Sequence, residues 1–160
     1  MTTVHRPRAI PAPLSLAGFL VAVAAVAVIG AFSSAQAKTV YSGFTLPSWA
    51  PPPWLFGPVW TVLYLMIAVS GWLFWRAKND GRGLGWYGAG LLLNAAWTPL
   101  FFTAGAYTAA LIDIIALDLV IVLTVVLFRR RSALAAALQL PYLAWTLFAT
   151  ALNAAVVVLN

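Results

Sequence analysis

Cysteine is absent from this 160-residue chain, and the one histidine is His5. Without thiols, disulfides, thiolate metal sites and cysteine nucleophiles are excluded. Acids are nearly as scarce: Asp80, Asp113 and Asp118 are the only three. No nucleophile elbow, phosphate loop or metal-spaced cluster is present. Hydrolysis, phosphoryl transfer and metal catalysis therefore have few residues to work with. Charge as a whole is short, at 8% of residues, against about 25% in soluble domains. So small a share cannot cover a water-facing surface. What fills the chain instead is apolar: 64% hydrophobic residues and a mean hydropathy of +0.97. A transmembrane β-barrel needs alternation of apolar and polar residues, whereas the runs here are continuous, as in Leu16 to Phe32. The composition predicts an all-α integral membrane bundle.

A spanning helix takes about 20 apolar residues. Five segments meet that length: Pro13 to Phe32, Trp54 to Trp75, Leu84 to Phe102, Ala106 to Phe128 and Ala133 to Leu159. Residues 1–160 read as one five-helix transmembrane domain, with a short tail over 1–12 and a long first loop over about 33–53. The remaining connections are a charged Gly-rich stretch (Arg76 to Gly83), a tight uncharged turn (Thr103 to Gly105) and a basic turn (Arg129-Arg130-Arg131).

Basic residues are divided unequally between the two sides. Arg6, Arg8, Arg76, Lys78, Arg82 and Arg129 to Arg131 fall on one side, and Lys38 alone falls on the other. The positive-inside rule predicts a cytoplasmic N-terminus and an external C-terminus, with the first loop outside over the mouth of the bundle. The net charge of +6 signals orientation and anionic lipid headgroups rather than nucleic acid. A competing reading takes Arg6 and Arg8, the apolar run and Ala35-Gln36-Ala37 as a secretory signal with its cleavage site.

The densest information lies in Leu46 to Trp60, where three tryptophans and five prolines share fifteen residues. Tryptophans settle at bilayer interfaces, and their flat faces suit an aromatic ligand arriving from lipid. Within the helices, Trp60 and Tyr64 are four residues apart and share a face. Asn94 and Trp97 share another, with Pro99 just beyond. Tyr142, Trp145 and Ala149 form one stripe on the last helix, next to Pro141, which removes a backbone donor. The amides of Asn94 and Asn153 need partners in hydrocarbon. These residues either pack the bundle or line a ligand pocket, and spacing leaves both open. Asp118, near the middle of the fourth segment, costs about 2.5–3.5 kcal/mol on insertion. It should be neutral, paired or facing a wet cavity, as a pocket or relay group or as a structural one. Asp113 lies about 140° around the helix from it. Gly85 and Ala89 form a small-xxx-small pair, suited to a dimer contact or to close packing within one chain.

Four blocks together resemble the TspO/translocator protein family, also called tryptophan-rich sensory proteins or peripheral-type benzodiazepine receptors. They are Pro47-Ser48-Trp49-Ala50-Pro51-Pro52 with Gly57-Pro58-Val59-Trp60 and Leu63-Tyr64; Leu93-Asn94-Ala95-Ala96-Trp97 with Pro99 and Phe101-Phe102; Ala110-Leu111-Ile112-Asp113; and Leu140-Pro141-Tyr142-Leu143-Ala144-Trp145 with Leu152-Asn153. The resemblance implies five transmembrane helices, a homodimer, and a pocket within one monomer that binds porphyrins and benzodiazepine-type ligands. Carried over by position, that pocket includes Trp60, Asn94, Trp97, Trp145 and Ala149, with Trp49 from the loop and Tyr64 nearby; Tyr142 and Asp118 join the candidate set from their place in the helices. Gly85 and Ala89 are the expected dimer contact. No cofactor is obligatory, and protoporphyrin or haem is the expected ligand.

The pattern also departs from the family. Leu46 stands where a Lys often precedes the Pro-x-Trp block, which removes a cation for a porphyrin propionate. After Leu152-Asn153 there is no basic residue to complete the sterol motif of animal members, although Arg82, Tyr87 and Leu91 fit its reversed form. Three activities follow from the resemblance: binding or sensing of tetrapyrroles, light- and oxygen-dependent porphyrin degradation with Trp60 and Trp145 as the candidate reactive rings, and porphyrin transport. The absence of an internal repeat speaks against an alternating-access carrier. The expected location is a bacterial cell membrane.

Overall fold

A computed structural model describes residues 12–35, 37–77 and 81–160. His5, Arg6, Arg8, Gln36, Lys78 and Asp80 lie outside the described residues, so the tail, the middle of the signal-like Ala-Gln-Ala pattern and part of the second loop's charge do too.

Every regular element among the described residues is helical. In order these are α1 (Ala12–Ser33), α2 (Ala37–Ser42), a 3₁₀ turn (Pro53–Leu55), α3 (Phe56–Arg76), α4 (Arg82–Thr98), a π-helical turn (Pro99–Thr103), α5 (Tyr107–Arg129) and α6 (Ala133–Leu159). Among the described residues, four stretches are long and apolar enough to cross a membrane: Ala12–Ser33, Pro53–Arg76, Tyr107–Arg129 and Ala133–Leu159. At 17 residues, α4 rises about 25 Å, short of a hydrocarbon core of about 30 Å. The third expected segment therefore differs from the expectation in form. It changes winding at Pro99, which has no N–H to donate, and the Ala104 N–H closes on the Pro99 carbonyl at 2.9 Å. Gly105, at φ +62°, then takes the left-handed conformation that turns the chain into α5.

The five long helices form a ring. α1 packs on α3, α3 on α6, α6 on α5, α5 on α4, and α4 returns to α1. The outside of the ring is apolar, with Val21, Leu92, Ile112, Leu119 and Leu147 all exposed. Buried positions include Ser70, Asn94, Asp118, Thr124, Gln139, Thr146 and Asn153. This inverts the soluble pattern and is what lipid demands, because polar groups there must find partners inside the protein. Ser70 Oγ donates to the Ala135 carbonyl at 2.7 Å and accepts from Gln139 Nε2 at 3.0 Å, which ties α3 to α6. Close approach is set by glycines: a Cβ on Gly71 would stand 2.7 Å from the Tyr87 ring and 2.9 Å from Phe19.

The first loop is fastened down. The Thr45 N–H donates to Asn160 Oδ1 at 2.9 Å, and Asn160 Nδ2 donates to the Thr45 carbonyl at 3.3 Å. Phe44 meets Tyr107 edge-on at 5.0 Å. The first loop and the C-terminus thus share one end of the ring. Arg76, Arg82 and Arg129 to Arg131 occupy the other end, at the termini of α3, α4 and α5 and the start of α6. The short helix α2 inside the loop was not expected from the sequence.

Candidate ligand-binding cavity

The ring encloses a cavity of about 490 Å³, within the range of small-molecule sites. Its walls are built by four elements. α1 contributes Ala27, Gly30 and Ala31, and Ser34 follows just past its end, small residues at i, i+3, i+4 and i+7 that leave one face without bulk. α3 supplies Trp60 and Tyr64, α4 supplies Trp97 and Thr98, and α6 supplies Trp145 and Ala149. The loop closes one end with Tyr41 and Pro53, beside Phe56 at the start of α3. Three of the four candidate indoles, Trp60, Trp97 and Trp145, therefore face one void. Trp60 and Tyr64 stack at 5.2 Å between ring centroids, and Trp97 stacks on Phe101 at 5.2 Å.

Behind the cavity wall runs a chain of hydrogen bonds. Tyr64 Oη donates to Asn94 Oδ1 at 3.1 Å, and Asn94 Nδ2 donates to Tyr142 Oη at 2.9 Å. Asn94 thus links α3, α4 and α6 and meets the cavity only through Tyr64. Tyr142 is 3% exposed, wedged behind Trp60 at 6.2 Å, and does not line the void. On the far side, Trp97 Nε1 donates to Asn153 Oδ1 at 3.2 Å, while Asn153 Nδ2 donates to the Tyr107 carbonyl at 3.0 Å.

Two other candidates stand apart from the cavity. Trp49 is 49% exposed and meets Phe148 edge-on at 5.7 Å. Phe148 in turn lies 5.5 Å from Trp145, so Trp49 is two rings away from the void. Asp118 faces α6, where its Oδ2 lies 2.7 Å from Thr150 Oγ1; the same hydroxyl is 2.9 Å from the Thr146 carbonyl. Asp118 Oδ1 is buried without a partner, and the residue lies outside the lining. Gly85 has nothing within 4 Å of a built Cβ and sits on the outer face of α4 with the partly exposed Ala89. Tyr87 is buried, and its hydroxyl donates to the Ile67 carbonyl at 3.1 Å, so the Arg82-Tyr87-Leu91 pattern does not present its tyrosine to lipid.

Sequence reasoning missed the α1 wall, Tyr41, Phe56 and Phe102. The small-residue stripe over Ala27 to Ser34 was readable as a periodic face. Tyr41 carried no comparable signal, because the loop helix that aims it was not foreseen.

Two donors at the cavity are unspent. Tyr41 Oη and Trp145 Nε1 are buried without a hydrogen-bond partner. Buried polar groups normally have one. Both rings flank Phe56, Tyr41 edge-on at 5.8 Å and Trp145 at 5.8 Å, so both donors belong to the loop end of the cavity.

A ring of apolar helices with polar ties inside, packed around an aromatic-lined cavity, is the architecture of a polytopic helical membrane protein. Comparison with known proteins makes this specific. The model of the TspO/MBR family matches residues 18–159. The chain is 43% identical to the tryptophan-rich protein TspO of Archaeoglobus fulgidus, over 92% of this chain and 97% of that protein. It is 40% identical to the translocator protein of Homo sapiens, over 71% of this chain and 70% of that one. It is also 33% identical to the tryptophan-rich sensory protein of Cereibacter sphaeroides, over 84% of each. The chain belongs to the TspO/MBR family and is an integral membrane protein.

Proposed function

We propose that this chain is a five-span membrane receptor that holds porphyrins and related flat, lipophilic aromatic ligands between its helices. The observation that carries the reading is a single void of about 490 Å³ whose lining includes Trp60, Tyr64, Trp97 and Trp145. Each ring pair with a planar ligand adds about 0.5–1.5 kcal/mol beyond area burial. Asn94 fixes Tyr64 in the wall and so sets the shape of the site rather than touching the ligand. The fifth span is α4 continued through the π-helical turn, Arg82 to Thr103, about 33 Å if it rises as an α-helix. The membrane is the bacterial cell membrane. The end bearing Arg76, Arg82 and Arg129 to Arg131 faces the cytoplasm, and the first loop and C-terminus face outward. Two chains associate through the outer face of α4 at Gly85 and Ala89. Lipid and ligand are the other partners, and nucleic acid has no part.

The test is quenching of tryptophan fluorescence by protoporphyrin in the wild type and in Trp60→Phe, Trp97→Phe and Trp145→Phe. Affinity should fall in at least two of the three. Equal affinity in all of them would remove the cavity as the site.

A second reading is light- and oxygen-dependent breakdown of the bound porphyrin. It is favoured by the oxidisable rings of Trp60, Tyr64 and Trp145 along the same void. Illuminated samples should then lose porphyrin absorbance faster with protein than without it, and the Trp60 and Trp145 variants should slow the loss. Transport ranks third, and a liposome flux assay separates it from binding.

A further inference from the structure

The walls of the cavity are not equally closed. On α4 and α6 the lining residues Trp97, Thr98, Trp145 and Ala149 are half-buried or buried. On α1 and α3 the lining includes Ala31, Gly57 and Thr61, and all three are exposed. A Cβ built on Gly57 meets nothing within 4 Å. Residues that line the void and still meet the surroundings mark where its wall is open. The ties between α1 and α3 lie at the arginine end: Trp72 Nε1 donates to Ser15 Oγ at 3.1 Å, and Gly71 lies against Phe19. Toward the loop the facing residues are small and leave a gap. α1 is also the least embedded wall. It buries Val23 and Val26, whereas α6 buries nine residues. The other sides are cross-tied, by Asn94 between α3, α4 and α6 and by Trp97 on Asn153. At the loop end Tyr41, 7% exposed, packs edge-on against Phe56. The gap reaches below the membrane surface: Ala27 lies about 9 Å in from the end of α1, and Thr61 about 8 Å in from the start of α3. Its hydroxyls are turned away. Thr61 donates to the Gly57 carbonyl at 2.9 Å and Ser34 to the Ala31 carbonyl at 3.4 Å, so neither proton is left to hold water or a headgroup.

We propose that the gap between α1 and α3 is a lateral portal through which the cavity loads from the hydrocarbon of the membrane, so that its ligands are flat aromatic molecules already dissolved in lipid. The inference rests on the porphyrin reading and deepens it by naming the phase from which the ligand is taken. A planar ring passes edge-on between Ala31 and Thr61, and α1, the least embedded wall, yields as it does. The transfer is from one apolar medium to another, so no apolar surface meets water on the way.

The experiment follows tryptophan quenching by stopped flow, with the full chain in detergent micelles and micelle-dissolved protoporphyrin as the probe. Dissociation is read after dilution into empty micelles, and melting temperature serves as the folding control. Ala31→Phe and Thr61→Phe should each slow association and dissociation together, by at least about fivefold, because bulk in a gap raises the barrier in both directions. Gly57→Leu, whose added carbons enter open space, should do the same and stands in for either Phe variant that fails its melting control. Leu119→Phe, exposed on α5 and away from the lining, should change neither rate. Unchanged rates in the rim variants overturn the portal. So does faster dissociation with normal association, which would mean that the added bulk fills the cavity instead. A tetrasulfonated porphyrin, which stays in water, should not quench; association as fast as that of protoporphyrin overturns the lipid route. Failure of protoporphyrin to bind the wild type overturns the porphyrin reading itself, and the portal with it.

Discussion

Asn94 is one amide serving three helices. Its Oδ1 accepts from the Tyr64 hydroxyl and its Nδ2 donates to Tyr142 Oη, so removing it strands two hydroxyls in a low-dielectric interior. Asn94→Ala should lower stability by about 1–2 kcal/mol, read as a melting shift in detergent, and should weaken ligand through the loosened Tyr64. Asp118→Asn behaves differently: an amide oxygen can still accept from Thr150, and the residue lies away from the cavity lining. Ligand affinity should stay within about twofold, since distant sites with no shared partner act independently; a larger change in the titration would place Asp118 in the site after all. At this scale the sequence was a good guide wherever a residue was costly. Asn94, Asn153 and Asp118 stood out because polar groups in hydrocarbon must be accounted for. It could not say which bonds satisfied them, since each partner lies on another helix.

Helices meet closely only where a side chain is missing. Gly83 faces the Phe74 ring so tightly that a Cβ would overlap it, and Phe74 is itself stacked on Phe128 at 4.0 Å with the rings 6° from parallel. The ring has nowhere to move, so Gly83→Ala should cost about 1–3 kcal/mol by overpacking. Gly85→Ala, with nothing within 4 Å, should cost the monomer nothing measurable and serves as the paired control in the same melting assay. On α1, Gly30 looks into the cavity, where a Cβ would make only ordinary contacts at 3.7 Å with Tyr64 and Thr98. Gly30→Leu should fill the void, leave the fold intact, and weaken porphyrin by at least about tenfold, measured by the same quenching titration. Element positions were largely legible in the sequence: the last expected span, Ala133 to Leu159, is α6. The α2 helix and the π-helical turn were not, since one is too short for periodicity to register and the other depends on how the chain beyond Pro99 packs.

At the scale of the whole molecule, the described arginines gather at one end. The Thr45–Asn160 bonds hold the first loop and C-terminus together, and Arg76, Arg82 and Arg129 to Arg131 lie at the opposite end. Cysteines placed at Ser42 and Ser132 should therefore label from opposite sides of the membrane, Ser42→Cys in intact cells and Ser132→Cys only after permeabilisation; the reverse result would invert the orientation. Asn160→Ala should release the loop that carries Tyr41 and speed ligand exchange, seen as faster dissociation with little change in melting temperature.

Composition made this a membrane protein, because a chain with 8% charged residues cannot cover a water-facing surface, and continuous apolar runs without alternation made it helical. The helical class and the places of four long apolar helices followed from hydropathy and spacing, which are local properties. The tertiary structure alone decided that three indoles from α3, α4 and α6 face one void, that a bare stripe on α1 leaves that void open, and that Tyr41 arrives over it with its hydroxyl unspent. Those facts depend on the order in which five helices close into a ring. That order is fixed by contacts between residues far apart in the chain, which no local pattern records.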